Sequence, residues 1–112
     1  IGSVAGDRGR ASNFAYGAAK ACVETFMEGL RQRYFSRGVN VLIIKPGFVD
    51  TPMTAHIPNK NGLIWVRPSH VAKDVTTAIK RGRTMLYTPR FWRWIMTAIR
   101  FIPEFAFKRL KL

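Results

Sequence analysis

Val39-Asn40-Val41-Leu42-Ile43-Ile44-Lys45-Pro46-Gly47 is the stretch that decides the fold. Residues 39–44 form a β-branched, nearly continuous apolar run, the pattern of a strand buried on both faces, as in a parallel sheet. Pro46-Gly47 then stops it. A parallel strand needs a crossover element, and helical patterns stand on both sides of this one. Upstream, Phe14 to Arg37 carries Val23, Phe26, Met27, Leu30 and Tyr34 at helical spacing, and Gly38 suits its C-terminus. Downstream, Ser69 can cap a helix from about His70 to Arg81, with Val71, Val75, Ala78 and Ile79 on its apolar side. Thr84 to Thr88 is a short strand stopped by Pro89, and Ile1 to Val4 reads as the tail of another. The order is that of an α/β protein with a parallel sheet. Residues 5–13 read as a loop, and 48–66 as a long irregular excursion with Pro52, Pro58, Asn59, Asn61 and Gly62.

The chain has 112 residues, 47% of them hydrophobic, enough for one modest core and too apolar for disorder. No Met opens it, so it reads as the C-terminal part of a longer protein. The single cysteine, Cys22, excludes an intrachain disulfide and is expected to be a small core residue on the Tyr16 helix. His56 and His70 have no carboxylate or thiolate at ligand spacing, so no metal site is expected.

The net charge of +13 is uneven. Residues 83–112 hold seven basic residues against one acid, Glu104, interleaved with Phe91, Trp92, Trp94, Phe101, Phe105 and Phe107. The apolar stretch is too short to span a bilayer. Residues 90–112 instead read as an amphipathic basic tail, apart from the α/β portion of 1–89, and suited to an anionic membrane surface. Burial of Trp92 and Trp94 in the core or in a second subunit is the competing use. Nucleic acid is a weaker partner, since no helix-turn-helix, zinc-finger or RNA-recognition pattern is present. Arg31, Arg33 and Arg37 read as a solvated helix end.

The chemistry lies in Tyr16 and Lys20. Four residues apart on one helix, they share a face, and an ammonium beside a phenol stabilises the phenolate. A phenol so placed can serve as a general acid or base in a carbonyl–alcohol interconversion. Ser3 and Pro46-Gly47 both fall at carboxyl ends of strands, where open parallel sheets bind ligands.

The stretches Ser3-Val4-Ala5-Gly6, Tyr16-Gly17-Ala18-Ala19-Lys20-Ala21 and Lys45-Pro46-Gly47-Phe48-Val49-Asp50-Thr51 together resemble the short-chain dehydrogenase/reductase family over roughly residues 1–88. The resemblance implies the C-terminal half of a Rossmann-type, doubly wound parallel sheet and an oxidoreductase using NAD or NADP. It implies that Tyr16 exchanges the substrate hydroxyl proton, that Lys20 holds the nicotinamide ribose, and that Ser3 hydrogen-bonds the substrate oxygen. Pro46, Gly47, Val49 and Thr51 would border the cofactor, and Pro52 to about Val66 would cover the substrate. Ala19 stands where the family often has Ser. The family's Gly-rich phosphate loop falls upstream of the matched stretches, so these 112 residues alone are expected to be inactive. More narrowly, Gly6-Asp7-Arg8-Gly9-Arg10, Lys45 to Thr54 and Ile102 to Leu112 are similar to the subfamily of decaprenylphosphoryl-ribose 2-epimerase reductase subunits. That implies a lipid-linked keto-sugar substrate and a cytoplasmic enzyme, peripheral on the inner face of the cell membrane.

Overall fold

In the computed structural model, which describes residues 1–60 and 62–112, the apolar run becomes β1 (Ile43–Pro46). It pairs in parallel with β4 (Met85–Thr88), Ile43 opposite Met85 and Pro46 opposite Thr88. Ile43 N donates to Thr84 O at 3.0 Å, while Ile44 O accepts from Gly2 N at 2.7 Å. Alternate residues of a strand turn to opposite edges, so residues 1–3 flank β1 on the side away from β4. The chain is α/β with parallel strands, as the sequence implies.

The strand boundaries differ from the expected ones. Val39–Leu42 lies outside the ladder, because β4 offers no partner before Met85. Side chains hold this lead-in segment instead. Arg31 Nε donates to Val41 O at 3.3 Å, Arg31 Nη2 to Thr84 O at 2.7 Å, and Asn40 Nδ2 to Arg83 O at 3.1 Å. Arg31 is therefore a clamp across the start of both strands, not a solvated cation. At the other end β1 runs on through Lys45 and Pro46, since partners inside the fold neutralise the Lys45 charge. Among the described residues the expected strand tail at Ile1–Val4 makes a single backbone bond to β1, from Gly2, before a 3-10 turn begins at Val4.

The first helix, α1 (Phe14–Tyr34), continues as a 3-10 turn to Arg37 and ends on Gly38 at φ 71°, a left-handed position that favours glycine. Its buried positions are Gly17 and Glu24, while Val23 and Phe26 are exposed. Cys22 is exposed too, not in the core. The face that meets the fold is the small-residue face, where the backbone can approach most closely. The second helix, α2 (Pro68–Lys80), starts earlier than expected. Pro68 occupies its first position, where a fixed φ and a missing N–H cost nothing, so Ser69 lies inside the first turn and caps nothing. Ala78 packs inward, Ile79 is exposed, and Thr88 Oγ1 donates to Asp74 Oδ2 at 2.7 Å, tying α2 to β4.

The excursion after β1 has an ordered neck. There β2 (Phe48–Val49) pairs in parallel with β3 (Trp65–Val66), and Phe48 stacks on Trp65 at 5.0 Å between ring centres. Asn61, expected among the turn formers of this stretch, lies outside the described residues.

The basic tail forms α3 (Trp92–Phe101) and α4 (Glu104–Phe107), with Pro103 between them. Trp92 and Met96 join Val4 in the core, with Phe48, Tyr87, Ile95 and Ile99 packed around them. Trp94, Phe101 and Phe105 point outward, 72%, 81% and 66% exposed. The two tryptophans thus divide between core and surface. Arg8 fastens the corner between the helices. Its guanidinium donates to Ile99 O and Ile102 O at 2.5 and 2.7 Å, pairs with Glu104 at 3.2 Å, and lies 3.6 Å above the centre of the Phe107 ring. The last carbonyls of a helix have no partner within it, and Arg8 supplies one. Arg8→Ala should destabilise the protein by about 2–3 kcal/mol, the scale of a lost charged hydrogen-bond donor. Hydrogen exchange should locate the loss, with amides of residues 99–107 exchanging faster than those of β1.

Candidate functional site

Ser3 sits at the start of the 3-10 turn Val4–Gly6, in extended backbone (φ −166°, ψ 152°). Its Oγ accepts from Ala5 N at 3.1 Å, which caps the turn and leaves the hydroxyl proton without a partner among the described residues. Its own N–H donates to Glu24 Oε1 at 2.9 Å. Ser3 is buried as a residue.

The turn packs directly on α1, and glycines set the distance. A Cβ at Gly17 would stand 2.7 Å from Ala5 O, and one at Gly6 would stand 3.0 Å from Ala21 N. Ala5 O is a backbone atom that cannot swing aside, so only glycine at position 17 permits this approach. Tyr16 precedes Gly17 and is carried to the edge of the same junction, 38% exposed. Its hydroxyl has no hydrogen bond among the described residues. Lys20, one turn on, donates from Nζ to Ile1 O at 3.3 Å and lies 5.6 Å from the centre of the Tyr16 ring. The structure thus brings Ser3, Tyr16 and Lys20 to one seam between α1 and the first turn.

Pro46 and Gly47 end β1, next to the strand-like residues 1–3. Gly47 N donates to Thr88 O at 3.0 Å. The side of Gly47 where a Cβ would stand is filled by Trp92, whose Nε1 would lie 1.9 Å from that atom. The indole N–H is buried there without an acceptor among the described residues. Val49 pairs with Val66, and Thr51 N donates to Thr54 Oγ1 at 3.1 Å. The described contacts of Val49 and Thr51 therefore run into the excursion and not toward α1. Among the described residues no group of three or more His, Cys, Asp or Glu is arranged to hold a metal ion.

Behind Ser3 lies a buried ionic cluster. The Lys45 ammonium bonds the Asp7 carboxylate and Glu24 Oε2, the latter at 2.9 Å, and Tyr87 Oη donates to Asp7 Oδ2 at 2.8 Å. The Lys45, Asp7 and Glu24 side chains are 7%, 1% and 6% exposed. Burial by itself lowers the pKa of the Lys45 ammonium, but the hydrogen bonds to Asp7 and Glu24 outweigh it and hold the group above the ordinary lysine range. Burial pushes the Tyr87 phenol up, and its hydrogen bond to Asp7 pushes it further.

Residues 1–62 match the short chain dehydrogenase family. The chain belongs to that family. An uncharacterised oxidoreductase of Streptomyces coelicolor is 33% identical over 110 residues, which is 98% of this chain and 43% of that protein. An uncharacterised oxidoreductase of Mycobacterium tuberculosis is 35% identical over 108 residues, 96% of this chain and 43% of that protein. A 3-oxoacyl-acyl-carrier-protein reductase of Pseudomonas aeruginosa is 45% identical over 58 residues, 52% of this chain and 24% of that protein. The chain thus spans less than half the length of these relatives.

Several residues that build this short-chain dehydrogenase seam carry no role in the sequence reading. Gly17, Glu24, Asp7, Lys45 and Tyr87 support the turn and the helix that carry Ser3 and Tyr16. One signal was available: Lys45 continues an apolar run, and a charge inside a buried strand requires a partner. Which partner it takes is not local information. Lys45→Met should cost about 3–5 kcal/mol, because two buried carboxylates would lose their counter-charge. Lys45 and Tyr87 both keep their protons to higher pH in the fold than in the unfolded chain. Their stabilisation is therefore complete below about pH 10 and is lost as pH rises through the folded values. Melting temperature against pH should fall on that alkaline side, and Lys45→Met should flatten the fall.

Proposed function

We propose that this chain supplies the proton-transfer half of an NAD- or NADP-dependent oxidoreductase that interconverts a ketone and an alcohol. The observation that carries the proposal is the seam itself. A serine hydroxyl with its proton uncommitted stands on the turn that packs against α1, and α1 carries a solvent-accessible phenol with an ammonium one turn away. The relatives support it, since the 3-oxoacyl reductase is named for reducing a ketone.

The residues suit a nicotinamide cofactor. Lys20 spends one weak hydrogen bond on Ile1 O and keeps donors for ribose hydroxyls. A bound nicotinamide supplies or accepts the hydride. Tyr16 gives its phenolic proton to the substrate oxygen in reduction and takes it back in oxidation. Lys20 stabilises the phenolate left behind, and Ser3 donates to the same oxygen as negative charge develops on it. Pro46, Gly47, Val49 and Thr51 border the cofactor in this reading, and the segment from Pro52 to about Val66, on which Met53 and Leu63 are exposed, covers the substrate. In this reading the pyrophosphate is bound by a separate nucleotide-binding half, since none of the residues named above is assigned to it.

The substrate we propose is a lipid-linked keto-sugar, reached at an anionic membrane surface. No helix among the described residues is long and apolar enough to cross a membrane. The outer face of the tail instead presents Trp94, Phe101 and Phe105 among Arg93, Arg100, Lys108 and Arg109, while its inner face is already spent on the core. Aromatic rings among basic groups match a layer of anionic headgroups.

Two measurements test this. Tyr16→Phe, in a form of the protein carrying a nucleotide-binding half, should lower kcat by about 100- to 10,000-fold with cofactor binding retained, the scale of a lost general acid. Full activity would remove Tyr16 from the chemistry. For the surface, sedimentation with phosphatidylglycerol vesicles should be salt-sensitive and reduced by Trp94→Ala with Arg93→Ala. Binding to a DNA duplex without vesicle binding, or a stable dimer that buries Trp94, would refute the membrane assignment.

A further inference from the structure

Glu24 is the buried acid of α1, seven residues after Gly17 on the same helix face, and it touches none of the groups assigned to proton transfer except through a backbone. Its two oxygens have separate tasks. Oε1 accepts the Ser3 N–H at 2.9 Å, and Oε2 pairs with Lys45 at 2.9 Å. The carboxylate is wedged under the turn. A Cβ at Gly2 would stand 2.3 Å from Glu24 Oε1, and one at Gly6 would stand 2.9 Å from both oxygens. Glycine on both sides of Ser3 is what admits it.

Neutralising Lys45 does not require this second acid. Asp7 already pairs with Lys45 and is the more deeply buried of the two carboxylates. Two carboxylates around one ammonium leave an excess of negative charge in the interior, which is unfavourable unless hydrogen bonds offset it. The Ser3 N–H and the Tyr87 O–H are the donors that do so. The serine peptide is thus fixed from below by Glu24 Oε1, while its Oγ accepts from Ala5 N at 3.1 Å through one of its two lone pairs. Both constraints leave one degree of freedom, the direction of the hydroxyl proton.

We propose that Glu24 is a positioning residue for Ser3: its carboxylate, held by Lys45, fixes the serine peptide and so places Oγ where its free hydroxyl proton can turn to the substrate oxygen. The inference rests on the reading of Ser3 as a donor in carbonyl reduction.

A double-mutant cycle tests it in the protein carrying its nucleotide-binding half, with NADH and NADPH as reductants and an acetoacetyl thioester as ketone. Glu24→Ala should lower kcat by about 100-fold, as expected when a reacting group shifts by about 1 Å, with the KM for cofactor unchanged. Glu24→Gln keeps an oxygen acceptor of the same size and should lose less. In a Ser3→Ala background Glu24→Gln should have no further effect on kcat, because there is no hydroxyl left to place. Losses that add in full would overturn the positioning role while leaving Ser3 as a donor. A Ser3→Ala variant with wild-type kcat would overturn the underlying reading of the site, and this proposal with it. A second measurement needs no turnover. In the 15N-labelled protein the Ser3 amide proton should lie far downfield and move upfield in Glu24→Gln, and an unchanged resonance would also refute the contact.

Discussion

The contact between the Lys45 ammonium and the carboxylates of Asp7 and Glu24 is the constraint on which the architecture turns. It joins the first turn, α1 and β1, and through the Tyr87 hydroxyl it reaches β4 as well. Elements that share only a few backbone hydrogen bonds are pinned at one buried point. Charges inside a protein are tolerated only with matched partners, so each member of the cluster restricts where the others can be. The strand can run through a lysine because a helix and a turn each bring it an acid. Ser3 is oriented by the same cluster, being the next group bonded to Glu24.

Close backbone approach is the second organising element. Gly2, Gly6 and Gly17 let the first turn, its supporting carboxylate and α1 meet without intervening side chains. Tyr16 and Lys20 sit on the rim of that seam, so their placement follows from the glycine beside them as much as from helical periodicity. At Gly47 the same device serves packing, since the indole of Trp92 fills the space a side chain would take. The end of β1 is thereby linked to the tail, and the tail to the serine turn through Arg8. Asp7 and Arg8 are consecutive and act in opposite directions, one into the ionic cluster and the other onto the corner between α3 and α4.

The tail shows how one amphipathic pattern can have two uses. Trp92 and Met96 belong to the core, and Trp94 and Phe101, on the opposite side of the same helix, face solvent. Aromatic residues around the whole circumference leave the direction of burial open in sequence. Packing against Val4 and Tyr87 selects one face, and the basic groups remain with the other.

By itself the sequence determined the alternation of helix and parallel strand, the helix end at Gly38, and the presence of Tyr16 and Lys20 on one helical turn. These features depend on periodicity and on residues a few positions apart, and such information is local. Strand limits at Ile43 and Pro46, the early start of α2 at Pro68, the clamp made by Arg31 and the exposure of Cys22 were settled only in the tertiary structure. So was the support of the candidate site. Glu24 lies 21 positions from Ser3, Asp7 lies 38 from Lys45, and Tyr87 lies 80 from Asp7. No helical or strand period relates such pairs. A charged residue in sequence announces that it needs a partner if it is buried, but only the folded chain decides that it is buried and which partner it meets.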